Sequence, residues 1–263
     1  MKDSGILPSR HWPVSAILAM ALAILASGCR GVQSALDPAG PAAAAIAQTW
    51  WLMLIGAALV LALVMALLWY TLSRRQDGPE FVHGTRLIIV GGLVLPTTVL
   101  LALLIYGTAT GRTVMAMDER VDLVVEVEGR QWWWTFRYLD GDGRTTATTT
   151  DVLALPVGRT VEFRVSSVDV IHSFWIPRLG GKIDAIPGRI NTLRLRADVA
   201  EPMRGQCAEF CGLEHAHMSF DVVAMPAAAF DRWLTTQGRE PLPPTTRLTG
   251  HDPAASAGAK ASP

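Results

Sequence analysis

The sequence predicts a two-helix transmembrane hairpin followed by an all-β sandwich or barrel. Two long uncharged apolar stretches predict the hairpin, and a later change to short alternating apolar and polar runs predicts the β domain. Only 17% of the 263 residues are charged, and the mean hydropathy is +0.30, whereas an average soluble domain has about 25% charged residues. Lys and Arg number 23 and Asp and Glu number 23, so the chain lacks the basic field of a nucleic-acid-binding protein.

Residues 1–28 have the organisation of a signal peptide. Lys2 and Arg10 lie in a short basic region, and residues 14–26 form an apolar stretch too short to cross a bilayer. The stretch ends in Leu-Ala-Ser-Gly before Cys29, which is similar to a bacterial lipobox and predicts lipidation of Cys29. The alternatives are an ordinary signal peptide with an incidental cysteine and an uncleaved segment. Residues 29–49 are predicted to form a lead-in of loop followed by helix.

Two transmembrane helices are predicted over residues 50–72 and 87–107. Each has about the 20 residues needed to cross the hydrocarbon core, with aromatic residues at its ends. The connecting loop, residues 73–86, contains Arg74, Arg75 and Arg86, and the positive-inside rule places such a loop in the cytoplasm. The sequence therefore predicts a multi-pass protein of the bacterial inner membrane whose C-terminal domain is periplasmic.

Residues 112–238 are predicted to form the β domain. Leu123, Val125 and Val127 alternate with residues that are mainly acidic, as in a strand with one buried face. Similar alternation occurs around residues 161–165 and 193–196, and glycine- and proline-containing turns separate these runs. Residues 226–237 are predicted to form a terminal helix, and residues 239–263 a disordered tail.

Residues 207–218 concentrate metal-binding side chains. Cys207, Cys211, His215 and Met218 supply two thiols, an imidazole and a thioether. This donor set suits copper better than Mg²⁺ or Ca²⁺, and methionine is a poor ligand for zinc, which is the second metal considered. A disulfide between the two cysteines is the alternative, but it leaves His215 and Met218 unexplained.

His172, in the sequence Val-Ile-His-Ser-Phe-Trp, is the candidate for a further nitrogen ligand. A histidine in an apolar strand is more often a core residue, which is the alternative here. A histidine early in the chain and a Cys/His/Met group late in the chain is the ligand order of cupredoxin-like β-sandwiches.

Four motifs together resemble subunit II of the haem–copper cytochrome c oxidases, over about residues 40–235. They are the Cys-x-Glu-x-Cys-x3-His-x2-Met spacing, the His-Ser-Phe-Trp sequence, Lys-Ile-Asp-Ala-Ile-Pro-Gly-Arg at 182–189, and Gln-Trp-Trp-Trp at 131–134. The resemblance implies a cupredoxin-like Greek-key domain with a dinuclear copper centre, CuA. The implied function is to accept electrons from cytochrome c and pass them to haem in subunit I, where O₂ is reduced to water.

The resemblance also implies a role for particular residues. Each thiolate of Cys207 and Cys211 would bridge both coppers, His172 and Met218 would complete one copper, and His215 and the Glu209 carbonyl would complete the other. His217 is the rival of His215 and is predicted to lie outside the ligand set.

The resemblance also implies which residues contact subunit I and the electron donor. Glu209 would approach a Mg²⁺ at the interface with subunit I, with Lys182 and Asp184 facing the same interface; a solvated charged turn is the alternative for these two. Trp132 would be the exposed aromatic that receives electrons from cytochrome c, with core packing as its alternative. Haem belongs to the partner subunit, and subunits I and III and membrane lipid are the expected neighbours.

Two other functions match part of this pattern. A membrane-anchored copper chaperone of thioredoxin-like fold also uses a Cys-x3-Cys pair, but its histidine follows the cysteines, whereas His172 precedes them. Quinol-oxidase subunit II is a related subunit without copper, and the presence of Cys207, Cys211, His215 and Met218 argues against it.

Overall fold

A computed structural model describes residues 30–73, 84–116 and 119–236, together with residues 16 and 28. The predicted lipidation site Cys29 and the predicted tail over residues 239–263 lie outside the described residues. The same holds for residues 74–83 of the predicted cytoplasmic loop and for the predicted signal peptide, apart from residues 16 and 28.

Two long apolar helices come first. Helix α1 (Pro41–Ser73) has 33 residues and helix α2 (Gly84–Val114) has 31, and both are long and apolar enough to cross a membrane. Their most apolar windows are not buried within the chain. Both helices are longer than the predicted spans of 50–72 and 87–107, and the last nine residues of the predicted lead-in are helical. Proline favours the first turn of a helix and alanine propagates it, which explains the early start of α1 at Pro41. Val90–Val94 forms a π-helical segment within α2.

The β domain is a sandwich of two five-stranded sheets. The first sheet has the order β3-β2-β1-β5-β8 and the second β4-β10-β9-β6-β7. The strands are β1 (Leu123–Arg130), β2 (Trp133–Leu139), β3 (Thr145–Thr150), β4 (Val152–Pro156), β5 (Thr160–Ser167), β6 (His172–Trp175), β7 (Ile183–Ala185), β8 (Asn191–Arg196), β9 (Pro202–Cys207) and β10 (Ser219–Met225). The predicted all-β domain is thereby confirmed.

The core lies between the two sheets and is rich in aromatic side chains. Leu123, Val125 and Val127 are buried on one face of β1, as their alternation predicts. Phe174 and Phe220 stack with ring centroids 5.2 Å apart and planes 7° from parallel. Both rings belong to strands of the second sheet, so they stabilise the sheet that carries the candidate metal ligands.

Helix α3 (Ala227–Thr235) closes the domain at its C-terminal end. Its buried residues are Phe230 and Trp233, which contact the ring of Tyr138 at centroid distances of 6.1 and 5.1 Å. The helix is shorter than the predicted 226–237 because Pro226 is its N-cap and Thr236 its C-cap.

The lead-in segment, defined here as residues 30–40, lies against the β domain. The amide of Arg204 in β9 donates to the carbonyl of Val32 over 3.1 Å, and Gln33 donates to Gln206 over 2.9 Å. Farther along, the guanidinium of Arg178 bonds to the carbonyl of Asp37 over 2.8 Å. The segment before α1 is therefore part of the same packed unit as the second sheet.

Candidate metal centre

Two neighbouring strands and one loop form the candidate metal centre at one end of the second sheet. His172 begins β6, Cys207 ends β9, and the Cys loop, defined as residues 208–218, leads from β9 into β10. The base of this loop is closed by a 2.8 Å hydrogen bond from the Cys207 amide to the Met218 carbonyl. The Ala208 amide donates to the Ser173 carbonyl over 2.9 Å, so the loop is also fixed to β6.

The two cysteine sulfurs lie side by side and are not bonded to each other. Their Sγ atoms are 3.8 Å apart, and both thiols are free and buried. A metal–thiolate bond is about 2.3 Å long for zinc, so one ion can reach two sulfurs up to about 4.6 Å apart. The structure therefore shows a pair of thiols that one metal ion can bind. The disulfide that was the alternative is not formed.

Nitrogen, thioether and carbonyl donors surround the sulfur pair. The ligand atoms of His172, Cys207 and Cys211 all lie within 4.8 Å of one another. The remaining distances are 3.8 Å from His172 Nδ1 to Cys207 Sγ, 3.5 Å from His215 Nδ1 to Cys211 Sγ, 3.6 Å from Met218 Sδ to Cys211 Sγ, and 3.2 Å from the Glu209 carbonyl to Cys207 Sγ. Soft sulfur and borderline nitrogen donors in one buried cluster fit copper.

The two thiols differ in acidity. Burial raises the pKa of Cys207, but hydrogen bonds with His172 and with the backbone at Glu209 and Ser173 outweigh it and lower the pKa to about 7. Burial and the neighbouring Cys207 charge both raise the pKa of Cys211. A metal ion that binds both sulfurs must therefore displace the proton of Cys211, as thiolate ligation requires.

Asp169 is a functional candidate that the sequence analysis missed. Its Oδ1 lies 2.9 Å from His172 Nε2, on the opposite side of the imidazole from Cys207. A carboxylate in this position fixes the ring orientation and directs Nδ1 toward the sulfur. The only sequence signal is an acidic residue three positions before a histidine.

The Gln131-Trp132 pair contacts the Cys loop directly. Gln131 Nε2 donates to the Cys211 carbonyl over 2.8 Å, and the indole Nε1 of Trp132 donates to the same oxygen over 3.2 Å. Gly212 permits this approach because it has φ +121°, and a Cβ there would lie 3.2 Å from both Gln131 and Trp132. Trp132 is half-buried and rests on the loop, where the prediction was an exposed ring.

The neighbouring tryptophans occupy different environments. Trp134 is fully buried in the core, and its ring meets that of His172 edge-on at 5.9 Å. Trp133 is half-buried, with the Arg130 guanidinium 5.6 Å from its ring centroid. Core packing therefore applies to Trp134, as adjacent residues of a strand face opposite sides.

The remaining predicted site residues lie around the Cys loop. His217 is exposed and bonds to Glu214 over 3.0 Å, so the structure brings His215, and not His217, to the sulfurs. Lys182 Nζ lies 3.4 Å from the Ala208 carbonyl. Asp184 is an exposed residue of β7, and it pairs with Ser173 of β6. Glu209 is exposed, and only its carbonyl turns toward the cluster.

Comparison with known proteins identifies the family. The family model for "Cytochrome C oxidase subunit II, periplasmic domain" matches residues 141–225. Cytochrome c oxidase subunit 2 of Alkalihalophilus pseudofirmus is 38% identical over 86% of this chain and 69% of that protein. Quinol oxidase subunit 2 of Bacillus cereus is 28% identical over 87% of this chain and 81% of that protein.

A solved structure gives a further similarity. The periplasmic domain of cytochrome oxidase subunit II from Bradyrhizobium japonicum is 29% identical, with a TM-score of 0.42, and the match covers 46% of this chain and 97% of that one. The 38% identity with the Alkalihalophilus protein extends across both helices and the β domain, as a match to 86% of the chain requires. This chain belongs to the cytochrome c oxidase subunit II family.

Proposed function

We propose that this chain is the electron-transfer subunit of a terminal oxidase, with a dinuclear copper centre held by its Cys loop and His172. The observation that carries the proposal is the cluster of two free thiols with imidazole, thioether and carbonyl donors at 3.2–3.8 Å. Family membership supports the same function.

The proposed ligand set uses the donors that lie around the sulfur pair, divided between the two coppers as the resemblance to the family implies. Cys207 and Cys211 would each bind both coppers, since their sulfurs face each other. His172 and Met218 would complete one copper, and His215 and the Glu209 carbonyl the other. When bound, such a centre supplies a single redox step in which one electron is shared between two metals.

The protein's part is to keep these donors still while the charge changes. His172 and Cys207 sit at the ends of neighbouring strands, and two backbone hydrogen bonds close the Cys loop over them. His172 is fully buried between Asp169 and the sulfur. Donors fixed in this way need little rearrangement on gaining an electron, which favours fast transfer.

Trp132 is proposed to receive the electron from cytochrome c. Its indole N–H donates a hydrogen bond to the Cys211 carbonyl, so the ring and the Cys loop are in direct contact. The surrounding charge is mixed, because Arg130 and Arg137 lie near Glu128, within 3.9 and 2.9 Å. An electron-donor protein that docks here therefore contacts both positively and negatively charged side chains.

The proposed assembly places the β domain in the periplasm and the loop over residues 73–86 in the cytoplasm. The arginines of that loop and the predicted signal peptide support the same orientation. Subunits I and III and membrane lipid would surround α1 and α2, and subunit I would contain the haem. The exposed carboxylates of Glu209 and Asp184 suit Mg²⁺, which takes one or two carboxylates and keeps several waters. Lipidation of Cys29 would add a membrane anchor.

The similarity to quinol oxidase subunit 2 gives a second candidate function, a structural subunit without copper. The free thiol pair favours the copper subunit, because buried polarisable donors around two thiols have no evident structural use. The chaperone alternative is wrong, since its thioredoxin-like fold alternates helices with strands and this domain is a β-sandwich.

Replacement of the bridging sulfurs tests the copper proposal. Purified full-length protein loaded with copper should contain two coppers per chain, be purple, and give a seven-line electron spin resonance spectrum. Cys207→Ser and Cys211→Ser should each abolish that spectrum, because each removes a sulfur shared by both metals. Cys29→Ser is the matched control and should change neither copper content nor colour. A serine variant that keeps both coppers and the purple spectrum would show that the bridging assignment is wrong.

Replacement of Trp132 tests the electron-accepting role separately. Trp132→Phe keeps an aromatic ring but removes the donor to the Cys211 carbonyl, so the copper spectrum should persist while reduction by cytochrome c slows. Trp133→Phe is the control and should reduce at the wild-type rate. Equal stopped-flow rates for both variants at matched copper loading would place electron acceptance elsewhere.

A further inference from the structure

A polar cavity of about 250 Å³ opens beside the candidate metal centre. Three parts of the chain line it: Gln33 of the lead-in segment, Arg204 and Gln206 of β9, and the loop end with His215 and Ser219. Cys207 also contributes to the wall, so whatever occupies the cavity lies next to the metal donors.

Arg204 is the charged group of this cavity, and its bonding is incomplete. One terminal nitrogen, Nη2, donates to Ser219 Oγ over 2.8 Å. Its Nε is shielded from solvent and has no hydrogen-bond partner among the described residues. No carboxylate of the described chain lies within ion-pair distance of this guanidinium, whereas Arg137, Arg178, Arg194 and Arg196 each have one.

The rest of the lining adds hydrogen-bond donors and no negative charge. Gln33 donates to Gln206 Oε1 over 2.9 Å, which leaves the amide NH₂ of Gln206 available as a donor. His215 turns Nδ1 toward Cys211, so its second ring nitrogen points away from the sulfur. Aspartate and glutamate are absent from the described lining.

A half-buried guanidinium without a carboxylate partner, beside amide and imidazole groups, matches an oxyanion. Arginine presents its N–H groups in a planar fork that pairs with two oxygens of a carboxylate or phosphate. The fixed positive charge of Arg204 disfavours a cation as ligand, and an apolar ligand would give the terminal N–H groups of the guanidinium no acceptor.

We propose that this cavity is an oxyanion-binding site in which Arg204 is the main ligand. The oxyanion is either a free inorganic anion such as phosphate or the carboxylate of an acidic side chain from the partner subunit. The site is formed by the chain without metal, and so it does not depend on the proposed copper function.

Calorimetric titration of the metal-free full chain in detergent tests the site. Inorganic phosphate and acetate are added at constant ionic strength, and at least one of them should bind with saturation. Arg204→Gln should weaken binding by at least tenfold. Arg204→Lys should weaken it severalfold, because it keeps the charge but loses the fork. Arg164→Gln, at a half-exposed arginine of β5, is the matched control and should bind like the wild type.

The same titration in the assembled oxidase distinguishes the two sources. Retained phosphate binding in the complex indicates a free anion, whereas binding seen only with the isolated chain indicates that a partner carboxylate fills the cavity. Absence of saturable binding in the isolated chain, or equal binding by the wild type and both Arg204 variants, would overturn the proposal.

Discussion

Asp169→Asn is the most informative substitution at the metal centre, because it changes one charge and almost no volume. The carboxylate accepts hydrogen bonds from Val170, His172 and Gln131, and Ser167 Oγ donates a longer one to Oδ1 over 3.3 Å. Oδ1 accepts from Val170 N over 2.7 Å and faces His172 Nε2 at 2.9 Å, while Oδ2 accepts from Gln131 N over 2.8 Å. Asparagine has only one oxygen, so its NH₂ group must face at least one of these donors.

The structure sets the size of the effect. If the asparagine oxygen replaces Oδ1, the amide of Gln131 loses its acceptor; if it replaces Oδ2, the amide of Val170 and the His172 ring lose theirs. The bonds from the Gln131 and Val170 amides are exposed, and a typical hydrogen bond contributes about 0.5–1.5 kcal/mol, so the free energy of unfolding of the metal-free chain should fall by about 1 kcal/mol. Loss of a carboxylate behind a metal-binding histidine typically costs about 10–100-fold in metal affinity.

The pH dependence has a definite sign. Burial raises the pKa of Asp169, but the hydrogen bonds from Gln131, His172 and Val170 outweigh it, and the net effect is a lowered pKa. The group therefore contributes stability above its ordinary pKa of about 4 and loses that contribution as the pH falls through the lowered value. Asp169→Asn should remove this part of the acid sensitivity.

Urea unfolding of the metal-free chain at pH 7 and pH 3.5, with copper affinity measured by chelator competition, provides the assay. Asp142→Asn is the control, since Asp142 is 74% exposed and pairs only with an exposed arginine, and it should change stability by less than about 0.5 kcal/mol. If Asp169→Asn matched this control in both stability and copper affinity, the proposed support of His172 would be refuted.

Two further substitutions probe the Cys loop. Gly212→Ala adds a side chain at φ +121° and within 3.2 Å of Trp132, and it should destabilise the domain by about 1–3 kcal/mol in urea unfolding. Gly141→Ala, where no atom lies within 4 Å, should not. Met218→Leu keeps a buried side chain of similar size but removes the thioether, so copper should remain bound with a shifted reduction potential. Met203→Leu, a buried exchange on β9, should leave the potential unchanged, and an unaltered potential in both would indicate that Met218 is only a core residue.

The metal donors of the Cys loop could be predicted from the sequence because they are close together along the chain. Five of the six proposed donors fall within residues 207–218, and a closed loop of that length keeps them near one another. His172 was predictable only through the ligand order of the family. Its position beside Cys207 depends on the pairing of Phe174 with Cys207 between β6 and β9, which spacing alone does not reveal.

Apart from the Asp169–His172 pair, the contacts that sequence reasoning missed connect residues far apart in the chain. Gln33 and Gln206 are 173 residues apart, and Gln131 and Cys211 are 80 apart. Neither pair has a periodic or charge signal that distinguishes it from other polar residues. The helix boundaries were too narrow for another reason: hydropathy marks the apolar part of a helix, whereas the alanine-rich start of α1 at Pro41 is helical without being strongly apolar.

The lead-in segment links the membrane helix to the metal centre. Arg178 is buried, bonds to the Asp37 carbonyl over 2.8 Å and to Glu201 over 2.9 Å, and follows β6 by three residues. Glu201 directly precedes β9, so this one side chain ties the lead-in to both strands that supply His172 and Cys207.

Close backbone packing reinforces this ionic link. The Ala39 amide donates to the Arg178 carbonyl over 2.7 Å, and a Cβ at Gly40 would overlap the carbonyl oxygen of Arg196. The turn into α1 thus rests on β8 as well as on the chain after β6. These backbone contacts, together with the two bonds of Arg178, hold the start of α1 against the second sheet. The position of the metal donors relative to the first membrane helix is therefore built into the fold of this chain before any partner subunit binds.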